Sequence, residues 1–304
     1  MVIYYRKVLE MLINWKKKFK KNNRGIYPDF FYWYVCKKVV LFTFLFATYS
    51  SLAQSCNQEI LFKTSFNNSS NPSKGNRGSY PGSFNRHVIY NGNSYTYYVF
   101  IPHNYHPRVA TPLVISWHGA AGAGTAPTNA KATRDFWQNT ADVNGFIILA
   151  QTATGQTGGG WVPSVDIPVL FEILDNMYRY YNIEKNRVYG HGFSAGGHLM
   201  HGIMLNNSET FAAYAISAGV LEAYAGIDAP ANAIRKIPVF ISIGLQDTSG
   251  PNLLNLSRLN HTVFNHAGWI DGQNYWIDEF NGGHQQDINL PQKAWNKLCP
   301  QSLN

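Results

Sequence analysis

The sequence predicts a single α/β domain with a mainly parallel sheet, preceded by a leader segment. Short apolar runs typical of buried strands alternate with longer segments of helical periodicity along the chain. The 304 residues, 45% hydrophobic and 14% charged, are enough to bury the core of one such domain. No internal repeat or second domain is evident, so we place the folded domain at residues 86–304.

Two strands are predicted to open the domain as an antiparallel hairpin. His87–Tyr90 and Ser94–Ile101 flank Asn91-Gly92-Asn93, and Asn-Gly between apolar runs is a strong turn signal. The preceding residues 64–85 are rich in Ser, Asn and Gly, which indicates a surface loop. Residues 54–85 are therefore assigned to an N-terminal arm.

The following segments alternate between strand and helix, and apolar residues within 166–181 recur at helical intervals. This alternation predicts helices on both faces of a parallel sheet. The predicted strands are Leu113–Trp117, Phe146–Ala150, Arg187–Gly190, Phe211–Ile216, Pro238–Ile243 and Tyr275–Glu279. The predicted helices are 135–143, 166–181, Ala195–Leu205, Leu256–Ala267 and Pro291–Leu298.

The formal charge of +8 lies in the leader. Residues 1–53 carry ten Lys/Arg against two acidic residues, whereas residues 54–304 carry fifteen of each sign. A nucleic-acid-binding face needs clustered basic charge, so no nucleic-acid partner is expected.

The leader has the pattern of a signal peptide. Lys37 and Lys38 precede an apolar region at about residues 39–49, and small residues lead to Ala53. The apolar run is shorter than the roughly 20 residues of a membrane-spanning helix. We therefore expect cleavage after Ala53, no stable membrane anchor, and an extracellular or periplasmic protein. The aromatic stretch before Val35 leaves two alternatives open: a true start at Val35, or a cytoplasmic extension on an uncleaved anchor.

Cleavage would leave two cysteines, Cys56 and Cys299, near opposite ends of an exported chain. They are candidates for a disulfide that ties the termini together, although two free thiols remain an alternative. Lipidation of Cys56 is less favoured, because Ala53-Gln54-Ser55 is a poor approach to a lipidated cysteine.

The clearest motif is Gly192-Phe193-Ser194-Ala195-Gly196, between a predicted strand and a predicted helix. Such a turn exposes a nucleophilic serine, and glycines are needed where side chains would clash. A structural glycine turn is the alternative. Gly190–Ala195 also fits a loose dinucleotide fingerprint. That motif requires an acidic residue after the next strand. This chain has Ser217-Ala218-Gly219 there, so we discount a dinucleotide site.

A nucleophilic serine needs a base and an orienting carboxylate. Asp247 follows the predicted strand Pro238–Ile243, and His284 follows the last strand, so the chain order is Ser, Asp, His. We predict Ser194 as nucleophile, Asp247 as acid and His284 as base. A turn-capping aspartate and an exposed loop histidine are the respective alternatives.

Small residues follow His118-Gly119, where a second oxyanion donor is expected. The donors are assigned to the N–H groups of Ala195 and Ala120, and His118 is expected to shape this loop. His118 and Trp161 are candidate substrate-lining residues. Trp161 either lies over the substrate on a mobile loop or is a half-buried tryptophan of an ordinary loop. His191, His198 and His201 lack carboxylate or cysteine partners at ligand spacing, so no metal is expected.

The chain resembles secreted polyhydroxybutyrate depolymerases and feruloyl or acetylxylan esterases of the α/β-hydrolase fold, over about residues 86 to 290. The resemblance implies that fold, esterase activity, and neither metal nor organic cofactor, and it assigns the triad to Ser194, Asp247 and His284. The loops after His118-Gly119 and His284 depart from the family pattern, which leaves the substrate open. The matching stretches are Tyr98-Val99-Phe100-Ile101-Pro102, Pro112-Leu113-Val114, His118-Gly119, Tyr181-Asn182-Ile183, Arg187-Val188-Tyr189, Gly192–Gly197 and Gly283-His284.

Together these features predict a secreted serine esterase acting through a Ser-His-Asp triad and an acyl-enzyme. The expected substrates are feruloyl or acetyl esters on polysaccharide, or short polyhydroxyalkanoate-type esters. No polymer-binding module follows His284, which disfavours crystalline polyester. A serine peptidase of the same fold and a non-catalytic secreted binding protein remain the alternatives.

Overall fold

The structure is a computed structural model that describes residues 70–120 and 122–303. The predicted signal peptide, the cleavage point after Ala53 and the candidate disulfide partner Cys56 lie outside the described residues.

Eight strands form one sheet in the order β1-β2-β4-β3-β5-β6-β7-β8. β2 is antiparallel to both β1 and β4, and all other neighbours are parallel. The predicted parallel sheet with an N-terminal antiparallel hairpin is therefore confirmed. The strands are β1 Gly82–Tyr90, β2 Asn93–Ile101, β3 Thr111–Trp117, β4 Ile147–Gln151, β5 Ile183–Phe193, β6 Ala213–Ser217, β7 Val239–Gly244 and β8 Tyr275–Phe280.

Helices follow most of the parallel strands. They are α1 Ala126–Asn144, α2 Pro163–Tyr180, α3 Ala195–Asn206, α4 Ala229–Asn232, α5 Ser249–His266 and α6 Leu290–Leu298, with a 3-10 turn at Leu221–Ala223. Apolar residues of α2, α3 and α5 belong to one core cluster. Those of α1 and α6 belong to a second cluster. The helices thus cover both faces of the sheet, as the sequence predicts.

Alternation along the strands explains why the core has two layers. In β3, Leu113 and Ile115 point into the cluster with α2 and α3, and Val114 points into the cluster with α1 and α6. All seven residues of β3 are buried, which matches a strand covered on both faces. Burial of apolar side chains on both faces stabilises the sheet and fixes its register.

The hairpin turn follows the expected chemistry, because Asn91 and Gly92 have φ of 48° and 77°. Several elements are longer than predicted. Strand β1 begins at Gly82, inside the segment 64–85 that the sequence predicts as a surface loop, because residues 82–86 pair with β2. Helix α5 begins at Ser249, before the predicted start at Leu256. Helix α1 begins at Ala126, and Pro127 stands at its start, where a missing N–H costs nothing. Strand β5 begins at Ile183, where polar residues 184–187 hide the strand pattern, and an irregularity in its pairing with β3 accommodates the extra length.

Parallel β5, β6, β7 and β8 lie side by side, so their carboxyl ends share one edge of the sheet. Ser194 follows β5, Asp247 comes three residues after β7, and His284 comes four residues after β8. The topology therefore collects three distant residues at one edge, which is where ligands bind in open α/β sheets.

Candidate active site

Ser194 occupies the turn between β5 and α3 with φ 51° and ψ −120°, a left-handed conformation that is rare for residues other than glycine. Its N–H donates to the Ser217 carbonyl at 2.9 Å. A methyl group on Gly192 would lie 2.4 Å from the Gly196 carbonyl oxygen, and one on Gly196 would lie 2.5 Å from the His118 carbonyl oxygen. The two glycines are therefore required by the close packing of this turn.

Three predicted residues are joined by hydrogen bonds. Ser194 Oγ lies 2.8 Å from His284 Nε2. His284 Nδ1 lies 2.9 Å from Asp247 Oδ2. Because an ionised carboxylate only accepts, His284 Nδ1 donates to Asp247, and Nε2 is left to accept the Ser194 hydroxyl proton. This arrangement can transfer a proton from the serine to the histidine.

The orienting groups around the histidine are fixed by packing. The Asp247 side chain is 0% exposed, and its Oδ1 accepts from the Ser249 N–H at 3.2 Å. The Phe193 ring lies 5.3 Å from the His284 ring, centroid to centroid. The His284 side chain is still 31% exposed, so a substrate can approach it from solvent.

The two predicted oxyanion donors lie beside the serine in different ways. Ala195 is the first residue of α3, so its N–H has no acceptor within the helix. Ala120 is exposed and follows Gly119, on which an added methyl group would lie 3.2 Å from Ser194 Cβ. The N–H groups of Ala195 and Ala120 therefore stay the predicted oxyanion donors.

His118 lies under this loop. The ring is 2% exposed, with Nδ1 at 2.8 Å from the Gly119 carbonyl oxygen and Nε2 accepting from the Ala153 N–H at 3.2 Å. The proton therefore resides on Nδ1, and burial lowers the pKa of the ring, which keeps it neutral. This geometry fits the expected loop-shaping role and leaves the ring little surface with which to line a cleft.

Trp161 packs beneath the same loop instead of covering the site. Its side chain is 5% exposed, stacks on Trp117 at 3.9 Å between ring centroids, and donates from Nε1 to the His118 carbonyl at 2.9 Å. A ring held by stacking and a hydrogen bond does not swing over a substrate. The structure thus favours a buried tryptophan over the mobile cover considered from the sequence.

The other histidines have structural partners. His191 Nδ1 lies 2.7 Å from Ser116 Oγ, His198 Nδ1 accepts from the Val220 N–H at 2.9 Å, and His201 Nδ1 lies 3.2 Å from the Tyr214 hydroxyl. Burial lowers the pKa of His191 and of His201 to about 3. Within residues 70–120 and 122–303, no group of three or more His, Cys, Asp or Glu side chains could hold a metal ion.

Cys299 is disulfide-bonded, and Cys56 lies outside the described residues, so their pairing stays a prediction. In the same described part of the chain, no helix is long and apolar enough to cross a membrane.

Sequence reasoning missed Asp166, a fully buried carboxyl group near the amino end of α2. Burial raises the pKa of Asp166 to about 6, against the lowering effect of hydrogen bonds from Val162 and Thr154. An acidic residue in the first turn of a helix is so common that no sequence signal distinguishes this one.

Two surface cavities of about 550 and 570 Å³ lie away from the triad residues. One is lined by residues of β8 and α6, including Trp276 and Lys297, and the other by residues near the arm, including Pro72 and Arg108. Neither lining includes Ser194, Asp247 or His284. Chemistry, and not cavity size, therefore identifies the candidate site.

Known proteins resemble this chain in sequence and in fold. No family model matches the chain. It is 27% identical over 199 residues to the bifunctional acetylxylan esterase/xylanase of Neocallimastix patriciarum, a match that covers 65% of this chain and 27% of that protein. The chain therefore spans about a quarter of the length of this curated relative.

Solved structures show the same fold. A ferulic acid esterase of Anaeromyces mucronatus, solved with ferulic acid, matches with a TM-score of 0.57 at 15% identity, over 73% of this chain and 91% of that one. A candidate dipeptidyl aminopeptidase IV of Bacteroides ovatus matches with a TM-score of 0.58 at 14% identity, over 72% and 35%. The chain thus has the α/β-hydrolase fold, and its predicted resemblance to acetylxylan and feruloyl esterases is confirmed. The polyhydroxybutyrate depolymerase part of the resemblance stays a prediction.

Proposed function

We propose that this chain is a serine esterase that hydrolyses carboxylic esters through an acyl-enzyme. The observation that carries the proposal is the hydrogen-bonded series Asp247–His284–Ser194, with distances of 2.9 and 2.8 Å. A non-catalytic protein has no need to keep all three groups in line at an accessible surface.

In the first half-reaction, Ser194 Oγ attacks the ester carbonyl carbon while His284 Nε2 accepts the hydroxyl proton. The buried Asp247 carboxylate stabilises the resulting imidazolium. The N–H groups of Ala195 and Ala120 bind the oxyanion of the tetrahedral intermediate. When this intermediate collapses, the bond to the alkoxy oxygen breaks and His284 Nε2–H gives its proton to the leaving alcohol.

In the second half-reaction, water attacks the carbonyl of the acyl-enzyme. His284 Nε2 takes a proton from the water, and after collapse returns it to Ser194 Oγ. The products are a carboxylic acid and a free enzyme in its starting protonation state. The exposed edge of His284 leaves a path for both the alcohol and the water.

For the substrate, we propose feruloyl or acetyl esters carried on polysaccharide. The relatives named above act on acetylxylan and ferulic acid esters. An open site with a partly exposed histidine also suits an ester attached to a polymer. Short polyhydroxyalkanoate-type esters are the alternative within the same chemistry.

We further propose that the protein is exported, with cleavage after Ala53. The argument is the basic segment followed by a short apolar run and small residues. The mass of the secreted protein tests it: a mature chain that begins at Gln54 supports cleavage, and a retained leader contradicts it.

A serine peptidase is the second candidate function. The same triad can attack amides. A candidate dipeptidyl aminopeptidase has a similar fold, so the fold alone does not distinguish ester hydrolysis from peptide hydrolysis. A peptide p-nitroanilide in the substrate panel separates them.

The test is hydrolysis of p-nitrophenyl acetate, p-nitrophenyl butyrate, methyl ferulate, acetylated xylan, a hydroxybutyrate oligomer and a peptide p-nitroanilide by the wild type and by Ser194→Ala. We expect ester turnover that falls by at least about 10⁴-fold in the variant, because the nucleophile is lost. The preferred ester then defines the substrate class. Equal, negligible rates in two folded proteins would leave only the binding-protein alternative.

A further inference from the structure

A second loop supports the loop that carries the proposed oxyanion donor. We call residues 118–124 the oxyanion loop and residues 152–162 the supporting loop. The Ala153 N–H donates to His118 Nε2 at 3.2 Å, and Trp161 Nε1 donates to the His118 carbonyl at 2.9 Å. The Gly122 N–H donates to the Gly158 carbonyl at 3.1 Å. The position of the oxyanion loop therefore depends on the supporting loop.

Asp166 holds the supporting loop near both of its ends. Its Oδ2 accepts from the Val162 N–H at 2.6 Å and from the Thr154 N–H at 3.4 Å. The Gln151 side-chain amide donates to the Asp166 carbonyl at 2.9 Å, which ties the end of β4 to the start of α2. One carboxyl group thus joins Thr154 and Val162, each of which directly follows a residue that contacts His118.

This arrangement costs stability. The Asp166 side chain is fully buried, and among the described residues it forms no ion pair. Its Oδ1 has no hydrogen-bond partner within the described residues. A buried carboxylate without a cation is unfavourable for folding. The first turn of a helix does not need a buried carboxyl group, because a serine or threonine side chain can accept from its free N–H groups at a lower cost in stability.

We propose that Asp166 is a positioning residue for the proposed esterase: it fixes the supporting loop, and through His118 and Trp161 it fixes the oxyanion loop against Ser194. The inference rests on the proposed function. Asp166 touches no substrate. It acts by keeping the Ala120 N–H where the oxyanion forms, so its loss should lower kcat more than it changes KM.

The first experiment compares wild type, Asp166→Ala and Asp166→Asn on p-nitrophenyl acetate, with folding checked by circular dichroism. We expect D166A to lower kcat by about 10- to 100-fold, below the roughly 10²- to 10³-fold loss of a whole oxyanion donor, with KM within about twofold. D166N should recover most of this loss, because its amide oxygen still accepts from the Val162 and Thr154 N–H groups.

Glu184 provides the matched control. It is also a buried carboxyl group, and it accepts two backbone N–H groups, from Asn71 at 2.7 Å and from Asn186 at 3.2 Å. It stands at the start of β5, at the opposite end of the strand from Ser194. Glu184→Ala should therefore lower stability while kcat stays within about twofold of wild type.

A second variant keeps the proposal testable if D166A does not fold. Trp161→Phe keeps an aromatic ring against Trp117 and removes the N–H that donates to the His118 carbonyl, together with part of the buried ring volume. We expect a fall in kcat at nearly constant KM. Where D166A folds, the two losses should not multiply in the double variant D166A/W161F, because both substitutions act through the supporting loop.

The outcomes separate the two proposals. A wild type that hydrolyses no ester would overturn the proposed function and this inference together. An active wild type in which D166A and W161F keep the wild-type kcat, or change KM instead of kcat, would overturn the inference alone.

Discussion

At the scale of single residues, Asp247 and Asp166 are both inaccessible to solvent but have different partners. Asp247 accepts from the His284 ring at 2.9 Å and can stabilise the positive charge that forms there. Asp166 accepts only from neutral N–H groups, and its pKa is raised to about 6. The first residue can take part in proton transfer, while the second can only position its neighbours.

Asp247→Asn is expected to lower kcat by about 10³- to 10⁴-fold, because the amide can donate to Nδ1 and hold the wrong histidine tautomer. Steady-state kinetics with a fluorescence check of folding measures this. The control is Asp142→Asn, which alters the surface pair of Asp142 with His103 Nδ1 at 2.8 Å and should leave kcat unchanged. A folded D247N with wild-type kcat would remove Asp247 from the triad.

Asp166→Asn is expected to stabilise the fold at neutral pH. The native pKa of Asp166 lies above its ordinary value of 3.8, so the native state holds this proton more tightly than the unfolded state. Proton binding by Asp166 therefore stabilises the native state fully below pH 3.8, and this stabilisation is lost as the pH rises through about 6. The free energy of unfolding of D166N, relative to that of the wild type, should rise by up to about 3 kcal/mol between pH 4 and 7.5.

Urea unfolding of both proteins at several pH values measures this difference. A gap that does not change with pH would mean that Asp166 does not titrate in this range. A D166N variant that is more stable than the wild type at neutral pH would show that the ionisable carboxyl group is kept at a cost in stability.

At the scale of elements, the turn from β5 into α3 is the most constrained segment. Gly192 and Gly196 lie against backbone atoms at distances that exclude any side chain. Gly202, two turns along the same helix, is different: an added methyl group would meet its nearest neighbour, Ala225, at 3.6 Å, an ordinary contact. The two helical glycines therefore predict opposite responses to the same substitution.

Gly196→Ala is expected to destabilise the protein by about 1–3 kcal/mol or more and to displace Ser194 from His284, with a large loss of activity. Gly202→Ala should be neutral or stabilising by up to about 1 kcal/mol, because alanine is the better helix former. Thermal unfolding and p-nitrophenyl acetate turnover of both variants test this. Equal effects of the two substitutions would contradict the packing argument.

At the scale of the whole molecule, the C-terminal segment is fixed to the start of β5. Arg187 Nη2 donates to the Cys299 carbonyl at 3.1 Å, and the Tyr189 hydroxyl donates to the Gln301 carbonyl at 2.8 Å. Cys299 itself is fully buried and disulfide-bonded. A disulfide from this position to the N-terminal arm would tie the arm to the catalytic domain.

We predict that the partner of Cys299 is Cys56. Mass spectrometry of non-reduced peptides identifies the pair directly. Cys56→Ser, Cys299→Ser and the double variant should each lose a similar stability, about 2–5 kcal/mol, because each removes the same cross-link. Separate, additive losses would mean that the two residues do not pair with each other.

The sequence predicted the fold class, the order of the elements and the position of the strand-to-helix turn. These depend on local signals: apolar periodicity, Asn-Gly at the hairpin, and glycines around Ser194. The sequence also placed Asp247 and His284 after strands. This is enough to predict that they lie close to Ser194, because parallel strands end at one edge of a sheet. It missed the first residues of β5, because residues 184–187 are polar and gain their strand pairing from neighbouring chain segments.

Only the tertiary structure shows the surroundings of Trp161, His118 and Asp166. Trp161 contacts a carbonyl 43 residues away, and the His118 ring accepts from an N–H 35 residues away. Whether a tryptophan covers a site or packs beneath it, and whether a carboxyl group is solvated or buried, depends on which distant segments surround it. Such contacts carry no periodicity or motif, so local patterns indicate the proposed catalytic residues, while only the packed chain shows which segments surround them.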